Sequence, residues 1–378
     1  MQGFKKATVA AAIGAAAVLV LSACGTTGGG GGSDETFKIA YQGPLTGDNA
    51  AYGAYATGGI EVALADYAEA YPDGPTVEVL YGDTQGDPAL APTVATDFIN
   101  DAALLGVTGP AFSGETNATG PAYAEAGLVT VSMSATNPDL SSNGWATFHR
   151  VVAPDSAQGP AAAALMESLG FEAIFLIDDS SDYGVGLGGE ITGALDPALV
   201  VGTDKVQQGD TDFSTPVTKV TAAGADALYY AGYAPEAALF LQQLRNAGWE
   251  GTFLSGDGTV DAAFLDAGEF TEGTILTFPG ILDAGEEFTA KWDALETDEK
   301  GAIGAYTLES YDAAWVLLSG IGEGNTTRED LLAWVNAYDA DGLTKHIKFT
   351  STGEIDGASG VYYYTVEDGK TVYGGPAE

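Results

Sequence analysis

Residues 104–136 read LLGVTGPAFSGETNATGPAYAEAGLVTVSMSAT, and they are the residues most informative about the fold. The apolar runs 104–108 and 129–133 have the length of buried strands, and each ends in a loop of small and hydroxyl-bearing residues. A stretch long enough for a helix separates them, which predicts neighbouring parallel strands joined through that helix. The loops GPAFSGET and SATNPDL then lie at the same edge of one sheet.

The same alternation of strand and helix continues in both directions along the chain. Further strands are predicted at 37–41, 77–81, 173–178, 200–206, 227–233, 252–256 and 274–278. Helical spacing of apolar residues separates most of them, and Asp87 followed by Pro88 predicts a helix start. Alternation of this kind indicates parallel sheets covered by helices on both faces, and its twofold recurrence indicates two similar lobes. We therefore expect an α/β fold of two doubly wound parallel-sheet lobes.

The first 33 residues have the composition of an export signal followed by a tether. Lys5 and Lys6 precede the weakly apolar run 7–23, which is short for a membrane span and ends in LSAC with the only cysteine, Cys24. LSAC resembles the lipobox of bacterial lipoproteins, in which the cysteine is lipidated and becomes the first mature residue. We expect a signal peptide at 1–23 and a lipidated cysteine with a flexible linker at 24–35. A cleaved signal with a coincidental cysteine is the alternative.

The overall composition argues against several classes of partner. The chain has 53 acidic and 13 basic residues, a formal net charge of −40 at pH 7. Nucleic acids are bound through lysine and arginine, and anionic lipid headgroups repel an acidic surface, so neither is an expected partner. A single cysteine forms no internal disulfide, and the fold must therefore depend on its apolar core.

Catalytic and cofactor motifs are weak or missing in the sequence. His149 and His346 lie in strand-like runs far from any nucleophile, and no GxSxG, HExxH or P-loop pattern is present. The acidic clusters 257–261 and 339–342 lack the spacing of a calcium loop and predict turns. The pattern GVGLGG from Gly184 starts several residues after its strand, too late for a dinucleotide fingerprint. We expect no catalytic residue, no metal and no cofactor.

Polar side chains at strand ends are the better candidates for a site. Ser113 follows the strand 104–108, and Ser134, Ala135 and Thr136 follow the strand 129–133. Hydroxyls and free backbone N–H groups at this edge of a parallel sheet suit a carboxylate, and Thr136 also suits an ammonium group. Helix capping explains the same hydroxyls without a ligand.

The second predicted lobe offers a matching set at its own strand ends. Tyr183 follows LIDDSSD, Tyr233 follows YYAG, and Asp257 follows FLSG, while Tyr52 follows the first strand. Asp257 supplies the negative charge that an ammonium group needs, and Tyr52 supplies an aromatic wall. Tyrosines that only pack on the rim of a sheet are the alternative.

Several stretches together resemble the substrate-binding lipoproteins of ABC transporters for branched-chain and related amino acids, which have the type I periplasmic binding fold. The resemblance covers the chain from Phe37 onward. The matching stretches read IAYQGPLTGDNAAYG, FSGET, SATNPDL, APDSAQGP, DDSSDYGVGLGG, LYYAGYAPE and LSGDG. Each short stretch is weakly specific alone, and the set is much more specific.

The resemblance implies a role for each polar candidate. In that family the residues matching Ser113, Ala135 and Thr136 hold the α-carboxylate and ammonium groups of the ligand, and the residue matching Asp257 pairs with the ammonium. Position 134 is a serine here and an alanine in some relatives. Asp257 stands where amino-acid binders carry glutamate, which leaves open relatives that bind amides, urea-like molecules or aromatic acids.

The resemblance also implies that aromatic residues enclose the ligand. The tyrosines matching Tyr52, Tyr183 and Tyr233 close over it in that family, and Tyr306 matches less well. Together with Phe112, Tyr52 and Tyr306 would form the wall that meets the ligand side chain, which is compatible with an apolar ligand.

The domain organisation and partners follow from the same resemblance. One lobe is expected at 36–153 plus 278–352 and the other at 154–277 plus 353–378, joined by a three-strand hinge. The implied function is to bind a free amino acid, branched-chain or otherwise hydrophobic, in the interlobe cleft and to deliver it to permease subunits. The protein is expected to be a monomer outside the cytoplasm, anchored by its lipid. A ligand-sensing lipoprotein with a separate signalling partner is the alternative class.

Overall fold

The computed structural model describes residues 36–297, 300–357 and 360–377. Their strands form two large sheets and one two-stranded sheet. The predicted signal peptide, Cys24 and the linker lie outside the described residues. Across the described ranges, no helix has both the length and the apolar character needed to cross a membrane.

The first large sheet is fully parallel, with the order β2-β1-β3-β4-β5. Its strands are β1 Thr36–Gly43, β2 Thr76–Asp83, β3 Leu104–Thr108, β4 Val129–Ser132 and β5 Phe148–Arg150. The helices packed with it are α1 Ala50–Ala70, α2 Ala91–Asn100, α3 Ser113–Ala126, α10 Thr307–Gly322 and α11 Arg328–Asn336. Ile39 and Ala40 are adjacent in β1, fully buried, and part of separate apolar clusters. Helices therefore cover both faces of this sheet.

The second large sheet has the order β14-β13-β10-β9-β8-β6-β7. Its parallel strands are β6 Ile174–Asp178, β7 Val200–Lys205, β8 Ala227–Ala231, β9 Thr252–Ser255 and β10 Ile275–Phe278. Two antiparallel strands, β13 Tyr362–Glu367 and β14 Lys370–Pro376, extend it at one side. The associated helices are α4 Asp155–Ser168, α5 Asp182–Ala194, α6 Ser214–Ala223, α7 Ala234–Asn246 and α8 Ala262–Leu265. The buried rings of Tyr230, Phe240 and Phe253 pack together in its core.

The chain passes between the two large sheets three times. The passages lie between β5 and α4, between β10 and α9 (Gly285–Asp293), and between β12 (His346–Lys348) and β13; β12 pairs with β11 (Asp339–Asp341). The buried guanidinium of Arg150 ion-pairs with Glu354, which joins the first passage to the third. The predicted α/β fold of two doubly wound lobes is confirmed, and the exact lobe boundaries stay a prediction.

Glycines let helix α1 approach α10 and the segment before it closely. A Cβ atom added at Gly59 would lie 2.0 Å from the carbonyl oxygen of Thr307, and one at Gly58 would lie 2.3 Å from that of Ala302. Both distances are far inside van der Waals contact, so only glycine permits this packing. The contact places Tyr306, the residue before α10, near α1.

Three local predictions differ from the structure. Asp87 and Pro88 form a turn in which Asp87 Oδ1 accepts a hydrogen bond from the Ala89 amide, and α2 begins only at Ala91. The second sheet is not purely parallel, because β13 and β14 run antiparallel. The predicted turn at 339–342 is instead largely strand β11, where the pairing with β12 prevails over the turn-forming residues.

Candidate ligand-binding site

The candidate site lies where the carboxyl ends of the strands of both sheets meet. In the first sheet β1 has β2 and β3 as neighbours, and in the second β6 has β7 and β8, so each sheet reverses its strand order there. Such a switch point leaves a crevice at the carboxyl ends of the strands. Tyr52, Ser113 and Tyr183 lie in the first turns of the helices that follow β1, β3 and β6, and Tyr233 directly precedes the helix after β8.

Hydroxyl groups line the side of the site that belongs to the first sheet. Ser113, the first residue of α3, is buried, and its Oγ accepts a hydrogen bond from the Asn137 amide over 3.2 Å. Ser134 Oγ donates to the Ala111 carbonyl over 2.7 Å. Thr136 is fully buried, and its hydroxyl has no hydrogen-bond partner among the described residues. Ser113 is therefore not a simple helix cap, and the Thr136 hydroxyl lies near Asp155, whose pKa it lowers.

Arg150 fixes the loop that carries Ala135 and Thr136. One guanidinium nitrogen, Nη1, donates to the carbonyl oxygens of Ala135 over 2.8 Å and Asn137 over 2.9 Å, and Nε donates to Glu354 Oε2 over 2.8 Å. The Arg150 side chain, which donates all of these hydrogen bonds, is itself fully buried. The sequence analysis did not single out Arg150, whose charge also lowers the pKa of Asp155.

Asp257 is the central residue in the part of the site that the second sheet forms. It begins a short 3₁₀ turn after β9, and its Oδ1 accepts hydrogen bonds from Tyr183 Oη over 3.0 Å and from Gln158 Nε2. Burial raises the pKa of the Asp257 carboxyl, while these hydrogen bonds and one from Tyr306 act in the opposite direction.

Two tyrosines from the first sheet's side also reach Asp257. Tyr306 Oη donates to Asp257 Oδ2 over 2.5 Å, and Tyr52 Oη donates to the Asp257 backbone carbonyl over 2.9 Å. Tyr306 has a φ of +63°, a left-handed conformation that is uncommon for a residue with a side chain. The structure thus brings the weakly predicted Tyr306 into the same cluster as Tyr52, Tyr183 and Asp257.

Asp155 is a second buried acid in the site, and the sequence analysis did not name it. It is the first residue of α4, is fully buried, and neither carboxylate oxygen has a hydrogen-bond partner among the described residues. Burial raises the pKa of its carboxyl, the charge of Asp257 raises it further, and the nearby Thr136 hydroxyl lowers it. The stretch APDSAQGP looks like an ordinary helix start, so no local signal distinguishes Asp155.

Four aromatic rings pack together in the site, and two of them, Tyr52 and Tyr183, also donate hydrogen bonds to Asp257. Phe112 stacks on Tyr233 with ring centroids 4.6 Å apart, and its ring also meets the edge of Tyr52 at 5.5 Å. Tyr233 in turn packs against Tyr183 at 5.2 Å. All four rings are buried.

The other motifs considered from sequence do not join the site. His149 is buried between Asn336 and Phe349, and His346 lies on the exposed β11–β12 hairpin between Asp339 and Asp341. Gly184 lies inside α5, beyond the end of β6. Among the described residues, no group of three or more metal-ligating side chains is arranged to hold a metal ion.

These features define a two-lobed protein that holds a small molecule between its sheets. Its buried hydroxyls and its two buried acids are groups suited to binding opposite charges on one ligand. A family model described as periplasmic binding protein matches residues 36–370. The chain belongs to this family.

Individual relatives are moderately similar over nearly their whole length. The leucine-, isoleucine-, valine-, threonine- and alanine-binding protein of Pseudomonas aeruginosa is 28% identical, over 85% of this chain and 87% of that protein. The Leu/Ile/Val-binding protein of Escherichia coli K12 is 29% identical, over 85% of this chain and 89% of that protein. A crystal structure of a leucine binding protein from Thermotoga maritima has a TM-score of 0.79 and 27% identity, covering 90% of this chain and 98% of that one.

Proposed function

We propose that this protein binds a free α-amino acid between its lobes and delivers it to the permease of an ABC transporter. The observation that carries the proposal is the pair of buried acids, Asp155 and Asp257, neither of which accepts a hydrogen bond from a lysine or arginine in the part of the chain that the structure describes, although the charge of Arg150 lowers the pKa of Asp155. Two adjacent buried carboxyls require a positive partner to ionise together, and the ammonium group of an amino acid supplies it. The relatives that bind leucine, isoleucine and valine support this choice of ligand.

The α-carboxylate of the ligand is proposed to lie against Ser113 and Thr136. Both residues carry buried hydroxyls, and Ser113 is the first residue of the 14-residue helix α3. Helix N-termini stabilise anions through their backbone N–H groups and the helix dipole. The ligand would then bridge the two lobes, with its carboxylate on one and its ammonium on the other.

The side chain of the ligand is proposed to be apolar, branched-chain or similarly hydrophobic. The remaining wall of the site consists of the buried rings of Tyr52, Phe112, Tyr233 and Tyr306. Burying apolar side-chain surface there contributes roughly 25 cal/mol per Å². Closure around the ligand would present a shape that permease subunits recognise.

Localisation and assembly belong to the same proposal. We propose that the protein works outside the cytoplasm as a monomer, with a signal peptide at 1–23 and a lipid on Cys24. Replacing Cys24 with serine should release the protein from the membrane fraction, as followed by fractionation. Persistent membrane association of that variant would contradict lipid anchoring.

Charge argues against one alternative ligand class. An aromatic acid would bring a third negative charge near Asp155 and Asp257 and offer no ammonium group in return. Neutral amides or urea-like ligands avoid this repulsion but leave the acid pair without its cation. A ligand sensor would use the same site, and a separate signalling partner would distinguish it from a transport protein.

Calorimetry with three matched molecules tests the proposed ligand class. Leucine carries both charged groups, 4-methylpentanoate lacks the ammonium, and isoamylamine lacks the carboxylate. We expect leucine to bind at least 100-fold more tightly than either analogue, because each loses hydrogen bonds to charged groups worth roughly 1.5–3 kcal/mol each. Binding of 4-methylpentanoate or benzoate as tight as that of leucine would overturn the proposal. At 100 times its dissociation constant, a ligand also adds about 2.7 kcal/mol to the free energy of unfolding.

A further inference from the structure

Arg150 holds the backbone on both sides of Thr136. Its Nη1 atom donates to the carbonyl oxygens of Ala135 over 2.8 Å and of Asn137 over 2.9 Å. The Thr136 carbonyl oxygen, which lies between them in the chain, accepts a hydrogen bond from the Asp155 amide over 2.8 Å. Three successive carbonyl groups therefore have defined partners, and the peptide planes that carry the Thr136 side chain cannot rotate without breaking a hydrogen bond.

The Arg150 side chain is itself held by the third passage between the sheets. Its Nε donates to Glu354 Oε2 over 2.8 Å, its Nη2 donates to Glu354 Oε1, and its backbone amide donates to the Gly353 carbonyl over 3.0 Å. A two-point contact between a guanidinium and a carboxylate fixes the plane of the guanidinium as well as its position. The direction in which Nη1 points therefore depends on Glu354.

Packed side chains do not fill the space between the loop 135–138 and these passages. A cavity of about 460 Å³ is lined by Pro138 of the loop, by Ala153 and Pro154 of the first passage, and by Glu354 and Ile355 of the third. Atoms that border an empty space have no packing contacts across it. On this side, the hydrogen bonds of Arg150 connect the loop to the third passage.

The charge of Arg150 also reaches the acidic part of the site. Burial raises the pKa of the Asp155 carboxyl, the charge of Asp257 raises it further, and the charge of Arg150 lowers it. The same guanidinium that holds the loop therefore favours the ionised form of an acid that a ligand ammonium group would need.

We propose that Arg150 and Glu354 are positioning residues for ligand binding: Glu354 orients the Arg150 guanidinium, which holds the loop 135–138 in the conformation that receives the ligand carboxylate. This inference rests on the proposed function, in which that carboxylate lies against Ser113 and Thr136. Arg150 and Glu354 act through the backbone of the loop and make no contact with the ligand themselves.

Leucine and leucinamide separate a positioning role from a simple loss of stability. Leucinamide keeps the ammonium group and the side chain but has no carboxylate, and titration at about pH 6 keeps its amine protonated. In the wild type we expect leucine to bind about 100-fold more tightly. In Glu354→Gln the ratio of the two affinities should fall roughly fivefold or more, as measured by calorimetry. A variant that is only less stable would weaken the binding of both ligands by the same factor.

Two further variants and one control complete the comparison. Arg150→Lys keeps the charge but loses the planar fork, so the ratio should fall as in Glu354→Gln, whereas Glu354→Asp keeps the carboxylate and should retain more of the wild-type ratio. Arg328 also donates to backbone carbonyls, those of Asp101 over 2.8 Å and Leu104 over 3.0 Å, at the end of β3 away from the site. Arg328→Lys should therefore leave the ratio unchanged.

Circular dichroism verifies folding, and either Glu354→Gln or Arg150→Lys carries the test if the other does not fold. An unchanged ratio in the folded variants, or an equal fall in Arg328→Lys, would overturn the positioning role and leave the proposed function standing. A wild-type protein that binds leucinamide as tightly as leucine would overturn the proposed function as well.

Discussion

The carboxyl groups of Asp155 and Asp257 are buried beside each other, and the charge of Asp257 raises the pKa of Asp155. They belong to different segments of the second sheet's lobe, the start of α4 and the turn after β9. Their proximity makes the centre of the cleft a place where negative charge is unfavourable without a cation.

Asp155→Asn should stabilise the protein and weaken ligand binding. Because the folded-state pKa of Asp155 is raised, its ionisation opposes folding as the pH rises above the ordinary carboxyl range, and a neutral amide removes that cost. We expect the variant to be more stable by roughly 1–3 kcal/mol at pH 7 without ligand, with the difference vanishing near pH 4 or below. Urea unfolding at both pH values measures it. A variant less stable than the wild type at pH 7 would contradict this reasoning.

Asp257→Ala should abolish tight binding of leucine. The substitution removes the proposed partner of the ammonium group and leaves Tyr183, Tyr306 and Gln158 without their common acceptor. An affinity loss of roughly 1.5–3 kcal/mol, or ten- to hundredfold, is expected by calorimetry. Tyr306→Phe is the matched control, since it removes one donor to Asp257 and keeps the charge. Unchanged affinity in Asp257→Ala, with native circular dichroism, would remove Asp257 from the site.

Glu354→Gln should destabilise the fold although Glu354 lies outside the cleft. It leaves Arg150 buried without its ion-pair partner, and breaking such a pair costs roughly 3 kcal/mol when one member is partly exposed. Asp204→Asn is the control, because it breaks the pair with the half-exposed Lys219 and should cost less than about 1 kcal/mol. Denaturant unfolding of both variants measures the two losses in the free energy of unfolding. Similar losses in the two would show that burial of Arg150 contributes nothing.

The free energy of unfolding should fall as the pH rises from about 5 to about 7. Burial raises the pKa of Glu115, Asp179 and Glu309 to about 7 in each case. The folded state then holds more protons than the unfolded state between the ordinary carboxyl range and pH 7, so deprotonation favours unfolding there. Glu309→Gln should flatten part of this dependence. Urea titrations at pH 5, 6, 7 and 8 test it, and a stability that rises over this range would be the opposite of what is expected.

Two glycine-to-alanine substitutions should change the free energy of unfolding in opposite directions. At Gly59 the new Cβ would collide with the Thr307 carbonyl of α10, and we expect a loss of roughly 1–3 kcal/mol or more. At Gly189, inside α5, the new Cβ would have no neighbour from the described residues within 4 Å, and the higher helix propensity of alanine should add up to about 1 kcal/mol. Thermal unfolding of the two variants provides the comparison. Destabilisation by Gly189→Ala would indicate a neighbour that the structure does not show.

The local pattern of apolar residues was enough to predict strands of the sheets and the sheet edge at which the candidate site lies. Strand β3 has the predicted bounds Leu104–Thr108, and the loop after it carries Ser113 as expected. The hairpin of β13 and β14 was missed, although Asp368 and Gly369 both have positive φ at its turn and Asp-Gly is a strong hairpin signal.

Asp155 and Gln158 could not be recognised from the sequence pattern as buried residues of the site. Both lie in the first turn of α4, where polar residues are ordinary, and both are fully buried in the folded protein. The hydrogen bond from Gln158 to Asp257 joins residues 99 positions apart. When a residue is buried by residues far away in the sequence, its burial produces no periodic pattern in the sequence around it.

The groups that converge on Asp257 come from widely separated parts of the chain, and this governs when the pocket can form. Tyr52 lies 205 positions before it, Tyr183 74 positions before it, and Tyr306 49 positions after it. Contacts at such separations form late and slowly, after local helices and neighbouring strands. A nascent chain that has not yet reached Tyr306 lacks one wall of the pocket. Binding competence should therefore be among the last properties acquired during maturation, which makes ligand retention a sensitive report of complete folding.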